Sequence, residues 1–589
     1  MIVLGINASH TATACLLIDG KIVACISEER LSRIKSQSGL PILAAREVLR
    51  TTGIKSEDVD LLVFSFKDPK VNFGYSAIPG IREQGDKKVD SPPSGLRRFG
   101  WFLKEQFLVK MPSSRQLYDS LLPLFYKFLV DAQLEEKILQ RIEEELDIPP
   151  QKVKKADHHI THAYSAIFSS GQFEKKSLLA LTLDGMGDGL CSTVRIVKDG
   201  QIKVIAQSKV GNSLGDLYSF VTNYLGMKMG EHEYKVMGLA PYANREYIQK
   251  IYAKLKELIW VNNDLTFKTK IHSHVFYKIL PEIFQGERFD NIAGAVQLLT
   301  EDLMAAWVKK AIKSTGIGDV VCGGGVFMNV KANQRILELP EVKSLFVMPS
   351  GGDESTAIGA AFWGYREMGG RTFTPLSNLY LGMEYSEDKI EQAVRNVKNK
   401  KIKVEKKREI EKEVARLLAE GKVVARFAGR MEWGARALGN RSILANPANL
   451  EVVREINESI KSRDFWMPFA PVILKERQDD YIVNPKKAEA PFMIITFNSK
   501  EEGRSKLKAA MHQYDFTLRP QVISQDSNPG YYRVIKQFEK ITGIGALLNT
   551  SFNLHGFPIV CSPDDALEVF TKSGLKYLAL GHLLISKNV

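Results

Sequence analysis

The chain has 589 residues, 44% hydrophobic and 25% charged, which is the balance of a globular protein and long enough to predict several domains rather than one core. A net charge of +13 suits anionic ligands, but the basic residues are dispersed, and runs such as Asn399-Lys400-Lys401-Ile402-Lys403 read as solvated faces rather than nucleic-acid arms. Five separated cysteines without a CxxC pair, an apolar start without a basic leader, and no apolar run of about 18 residues exclude zinc-ribbon, disulfide-framework and membrane-helix classes and predict a cytoplasmic protein.

In chain order, Ile2–Asn7 predicts a strand, and a polar turn follows with Ser9 and His10. Ala12–Ile18 and Lys21–Ser27 flank Asp19-Gly20 as a hairpin. A helix is expected over Leu40–Thr52 and a buried strand over Leu61–Ser65. The same order returns about 180 residues later, with a strand at Leu178–Leu183, a glycine-rich turn at Asp184–Gly189, a strand at Cys191–Val197, an Asp199-Gly200 turn and a strand at Gln201–Ser208. The repetition predicts a duplicated α/β half-domain with the polar loops on a cleft. Residues 70–150 interrupt it and are expected to form a partly helical lid or a structural appendage.

Helical spacing continues at Gly215–Leu225 and Ala293–Lys313. Strands at Val320–Cys322 and Phe346–Met348 enter Gly323-Gly324-Gly325 and Gly351-Gly352-Asp353, and the second meets a helix at Ser355–Tyr365 to make an anion-receptive corner. A boundary near Arg371–Asn378 predicts domains at 1–370 and 371–589. Beyond it lie helices at Ser386–Lys398 and Ile410–Glu420 and a strand at Val423–Phe427. A turn then places three arginines and three glycines between Gly429 and Arg441, as a phosphate would need. Asn549-Thr550-Ser551-Phe552-Asn553 follows an expected strand at Gly545–Leu548.

Within Asp157-His158-His159-Ile160-Thr161-His162, a helix would put His158 and His162 on one face, a spacing that lets two imidazoles hold one metal ion. Asp184, placed by the pattern at the end of a strand, can supply a carboxylate, and the Gly-Gly-Asp corner and Ser9-His10 look like parts of the same site. A helix with satisfied histidines is the other reading of this pair.

Together, Gly5-Ile6-Asn7-Ala8-Ser9-His10, Ser27-Glu28-Glu29-Arg30, the double-histidine block, Lys235-Val236-Met237-Gly238-Leu239-Ala240-Pro241, Gly351-Gly352-Asp353, Asn549-Thr550-Ser551-Phe552-Asn553 and Cys561-Ser562-Pro563 resemble the O-carbamoyltransferases of nodulation-factor, cephamycin and aminoglycoside tailoring. The resemblance covers nearly the whole chain outside 70–150. It implies an α/β protein with a duplicated actin-like, threonylcarbamoyl-transferase-like N-terminal domain and an α/β carbamoyl-adenylate-forming C-terminal domain. Carbamoyl phosphate and ATP with Mg2+ would give carbamoyl adenylate in the second domain, and the first would transfer the carbamoyl group to a hydroxyl of a small molecule or sugar, releasing AMP.

By the same resemblance His158, His162, Asp184 and Asp353 are metal ligands, for Fe2+ foremost, with Mn2+ and Zn2+ also suited to the donors. His10 is the general base, Lys35 neutralises the adenylate, and Gly189 and Gly325 contact it through backbone. Arg436, Lys461, Arg519, Asn549 and Ser551 match phosphate and nucleotide contacts. Met467 departs from the pattern, standing where an arginine is expected, and the nearby Arg463 is placed to compensate. His159, Asp188 and Glu233 are read as structural or supporting. No membrane or nucleic-acid partner is expected, and a homodimer is compatible with the resemblance. Two rival readings are a transfer-RNA threonylcarbamoyladenosine-type transferase and a non-catalytic nucleotide-binding regulator.

Overall fold

The computed structural model describes residues 1–67, 134–174, 177–397, 402–461 and 463–587. Most of the segment expected as a lid over 70–150 lies outside the described residues. The chain divides into two compact units, one of Met1–Val23 with Ser36–Leu376 and one of Ala24–Lys35 with Ser377–Val589.

In the first unit one five-stranded sheet runs in the order β3-β2-β1-β4-β5, with β1 Ile2–Asn7, β2 Thr13–Ile18, β3 Lys21–Ser27 (of which residues 21–23 belong to this unit), β4 Leu61–Phe64 and β5 Val153–Lys155. The other repeats that order as β8-β7-β6-β11-β12, with β6 Leu178–Gly187, β7 Leu190–Lys198, β8 Gln201–Lys209, β11 Asp319–Gly323 and β12 Ser344–Val347. In both, the first strand pairs antiparallel with the next strand in sequence and parallel with the strand on its other side. This is the duplicated α/β architecture that the repeated hairpins predict, the kind that the family resemblance describes as actin-like. A small ribbon, β9 Ile259–Val261 with β10 Phe267–Thr269, stands apart.

The helices that matter for the site are α1 His158–Ser169, α2 Leu214–Tyr224, α3 Phe289–Thr315 and α4 Thr356–Glu367. Asp157 caps α1 by accepting from the Ile160 amide, so the first histidine falls at the first helical position. Helix α4 passes close to α1 because residue 359 has no side chain: a β-carbon on Gly359 would stand 1.7 Å from the Thr161 carbonyl oxygen.

One expectation is corrected here. The strand does not stop at Leu183; β6 continues to Gly187 through a register irregularity between Leu183 and Gly187, and the turn is made by Asp188 and Gly189, both at positive φ. Asp184 therefore sits inside a bulged strand rather than at its end, and the bulge re-aims the chain around it.

The second unit is built on an eight-stranded mixed sheet ordered β13-β22-β21-β14-β15-β20-β16-β19. Its strands are β13 Ile402–Lys406, β14 Val424–Phe427, β15 Arg441–Ala445, β16 Ala470–Leu474, β19 Gln521–Ile523, β20 Ala546–Ser551, β21 Tyr577–Leu580 and β22 Leu583–Lys587, with a separate ribbon of β17 Phe497–Asn498 and β18 Thr517–Leu518. Here too a strand outruns its expected end, since β20 carries Asn549, Thr550 and Ser551 within the ladder. Helices α5 Pro529–Thr542 and α6 Pro563–Lys572 belong to this unit. Among the described residues no helix is long and apolar enough to cross a membrane.

Candidate active site

Four side chains from three places in the first unit converge. One ligand atom each of His158, His162, Asp184 and Asp353 lies within 4.8 Å of all the others. His158 Nε2 is 3.1 Å from both His162 Nε2 and Asp184 Oδ2. His162 Nε2 is 3.5 Å from that carboxylate, and Asp353 Oδ1 is 3.7 and 3.8 Å from the two imidazoles. Donors about 2.1 Å from one cation stand about 3.0 Å apart in an octahedron and about 3.4 Å in a tetrahedron, so the residues fit a divalent ion.

The charge pattern points the same way. Both histidines are buried, whereas the Asp184 and Asp353 side chains keep 13% and 19% exposure, enough to leave the cluster reachable from solvent. Burial works against charge on His158, but the hydrogen bond to Asp184 and the charges of Asp353, Asp184 and Asp188 outweigh it and raise the imidazole to about 9. Burial opposes ionisation of Asp184 as well, yet both histidines hold its carboxyl well below the usual range. Two carboxylates facing two imidazoles make a cluster that demands a positive charge at its centre.

Supporting contacts fix this geometry. Ser9 Oγ donates to Asp353 Oδ2 at 2.8 Å, and the Gly325 amide donates to Asp184 Oδ1 at 3.1 Å. The His158 amide donates to Asp188 Oδ2 at 2.8 Å, and Ser355 Oγ lies 3.4 Å from His162 Nδ1. His159 turns away to Thr182 Oγ1 at 2.9 Å; burial, then its two neighbouring histidines, lowers it to about 3. Such outer contacts orient ligating groups. Ser9, expected with His10 to be part of this site, bonds Asp353, whereas Ser355 and Gly187 were not singled out by sequence reasoning, because nothing local marks a serine whose histidine partner lies 193 positions away.

His10 stands beside Ser9, its Nε2 at 3.1 Å from the Gly230 carbonyl oxygen. Gly325 lies on the cluster, while Gly189 sits in the β6–β7 turn at φ +83° with open space where a side chain would be. Lys35 packs in the second unit.

That unit holds a second constellation. Arg436, Arg463, Arg519, Asn549, Thr550 and Ser551 line a cavity of about 50 Å³, with no carboxylate among its described lining residues. Burial, then the charges of Arg436 and Arg463, holds the Arg519 guanidinium well below its usual range. Lys461 does not line the cavity but supports it from below, donating from Nζ to Ser551 Oγ at 3.1 Å and to Asn553 O at 3.0 Å. Burial, then Arg463 and Lys35, depresses its pKa strongly. Met467 is buried and is not among the lining residues, whereas Arg463 is. Buried Glu432 shapes the arginine-bearing turn by accepting from the Leu438 and Arg441 amides, a role that a lone acid in a basic loop signals only weakly.

Residues 2–362 match the family model described as carbamoyltransferase N-terminus, and residues 415–587 match that described as carbamoyltransferase C-terminus. The chain belongs to the carbamoyltransferase family. As a carbamoyltransferase it is an enzyme, and several relatives match it over nearly its whole length. Nodulation protein NolNO of Sinorhizobium fredii is 30% identical over 98% of this chain and 79% of its own. An uncharacterized protein of Synechocystis, sll1178, is 31% identical over 99% of this chain and 96% of its own. The crystal structure of full-length HypF in the phosphate- and nucleotide-bound form covers 63% of this chain and 56% of its own, at 11% identity and a TM-score of 0.31, so the fold of the carbamoyltransferase rests on its own sheet topology.

Proposed function

We propose that this carbamoyltransferase is an ATP-dependent O-carbamoyltransferase that makes carbamoyl adenylate in its second unit and transfers the carbamoyl group to a hydroxyl in its first. The observation that carries the reading is the pairing, in one chain, of a two-histidine, two-aspartate cluster with a carboxylate-free cavity of arginines.

The balance of the first reaction fixes its products. Carbamoyl phosphate loses its phosphate to water, a carbamate oxygen attacks the α-phosphorus of ATP with its Mg2+, and pyrophosphate leaves. Arg436, Arg463 and Arg519 line the cavity and bring guanidinium charge to the phosphates. Asn549 and Ser551 offer hydrogen bonds at its wall, and Lys461 adds charge from below.

In the second reaction the acceptor oxygen attacks the carbamoyl carbon, its proton goes to His10, and AMP departs. The Gly230 carbonyl, accepting from His10 Nε2–H, leaves Nδ1 as the basic nitrogen. His158, His162, Asp184 and Asp353 would hold a divalent ion, Fe2+ foremost, whose Lewis acidity stabilises the leaving phosphate. Lys35 and the backbone at Gly189 and Gly325 are assigned to the adenylate. The expected partners are ATP, carbamoyl phosphate and a hydroxylated metabolite or sugar, and the same assignment places the enzyme in the cytoplasm.

Incubation with ATP and carbamoyl phosphate should release pyrophosphate, and mass spectrometry of hydroxylated candidate acceptors should find an added carbamoyl group. Absence of pyrophosphate at every metal condition sinks the proposal.

A further inference from the structure

The larger of the second unit's two described cavities, about 270 Å³, is not the arginine pocket. It opens where β14 ends, beside the first turn of α5 and the β21–β22 turn, and its wall includes Arg426, Gly530 and Asn528. The residues that line it are distinct from those around Arg436, Arg463 and Arg519, and nothing in the reactions above uses them.

Its floor is built for an anion. Arg426 is only 7% exposed, and its Nη1 is committed to the Gly439 carbonyl at 2.6 Å and to Asn440 Oδ1 at 2.9 Å. Its other terminal nitrogen lies beside Gly530, another lining residue, on which a β-carbon would stand 3.1 Å from Nη2. Gly530 lies in the first turn of a 14-residue helix, where amides lack intrahelical acceptors and the dipole favours negative charge. Glu411 also lines the cavity and approaches this turn, its carboxylate paired with Arg533 at 2.6 Å.

The lining also carries exposed groups of the other sign. Glu384 and Glu387 line the cavity and are exposed, so they form a rim that receives a cation; His582 approaches Glu387 only to 3.7 Å. Ile390, Ile410, Val414 and Val534 add aliphatic surface to the lining. A buried guanidinium, two exposed carboxylates and aliphatic side chains around one cavity match one ligand chemistry: a carboxylate and an ammonium on one carbon, with an aliphatic side chain.

We propose that this cavity is a second small-molecule site that takes an aliphatic α-amino acid, its carboxylate on Arg426 and Gly530 and its ammonium at Glu384 and Glu387. The site touches the donor chemistry through Asn440, which accepts from both Arg426 and Asn528 and closes the turn that carries Arg436. Its existence does not depend on the assignment of the reactions.

The test is calorimetric titration of the full chain with valine, leucine and isoleucine, each beside the amine and the carboxylic acid that lack one of its two charges. At least one amino acid should bind, and its one-charge analogues at least about tenfold more weakly. The double variant Glu384→Gln/Glu387→Gln, confined to exposed positions, should lose about tenfold in affinity without loss of fold, and Val414→Trp should abolish binding by filling the wall. Failure of all three amino acids to bind, equal binding of the carboxylic acid alone, or full affinity in the double variant would overturn the proposal.

Discussion

Gly187 and His158 are in such close contact that a β-carbon on the glycine would stand 2.0 Å from Cδ2 of the imidazole. The bulged end of β6 is thus the wall against which the first histidine of α1 is held, and a single methyl group there must displace the ring or the strand. Gly187→Ala should lower the affinity for a divalent ion by at least about tenfold while the second unit still releases pyrophosphate. Metal content after dialysis, measured beside pyrophosphate release, checks both halves. Retention of wild-type metal affinity would show that the ring has room to move.

The four-residue cluster also makes a prediction about order of loss. Asp353→Asn removes one carboxylate but leaves a side chain of the same shape, so Ser9 keeps an acceptor while the charge facing His158 and His162 falls by one. Transfer to the acceptor should drop by about 100-fold, the usual scale for a removed ligand or its support, and pyrophosphate release should persist. Removing the ion with a chelator should give the same split, restored by adding Fe2+, Mn2+ or Zn2+. Loss of both reactions together would deny the division of labour between the two units.

Much of this site is legible in the sequence, and the reason is physical. Histidines four apart on a helix must share a face, and a Gly-Gly-Asp corner between strand and helix must present its carboxylate near the helix start. The position of Asp184 is less legible, because strand-to-turn boundaries are written by glycine content, and a bulge keeps glycine inside a strand. Ser355 carries no local signal; it matters through His162, far away in sequence. The same holds for the Arg426 cavity, whose walls come from six separate stretches of chain. The repeated hairpins, in contrast, show the duplicated sheets because an Asp-Gly turn between alternating strands has few other solutions.

In the arginine pocket, Arg463 lines the cavity while Met467 does not. On the proposed reading, Arg463 supplies from four positions earlier the charge that the resemblance places at 467. Arg463→Ala should raise the KM for carbamoyl phosphate by at least about tenfold, the cost of one charge-assisted contact to phosphate, and leave the cluster of the first unit unaffected. Steady-state pyrophosphate release as a function of carbamoyl phosphate is the measurement. An unchanged KM would remove Arg463 from the site.

Lys461 gives a pH dependence with a defined sign. Its folded-state pKa lies well below the ordinary lysine value because burial, and then Arg463 and Lys35, disfavour the ammonium. Between that depressed value and the ordinary one the unfolded chain binds more protons than the folded chain, so stability rises with pH across this window and falls as pH drops through it. Ligand binding runs the other way. A phosphate brought beside Ser551 and Asn553 favours the charged lysine, so binding of ATP takes up a proton when the pH exceeds the depressed pKa, and affinity declines as pH rises further. Titration of ATP in two buffers of different ionisation enthalpy reads the proton directly. Lys461→Gln should abolish the uptake while keeping hydrogen-bond donors toward Ser551 and Asn553, whereas a lysine already charged in the free enzyme would give no uptake in either protein.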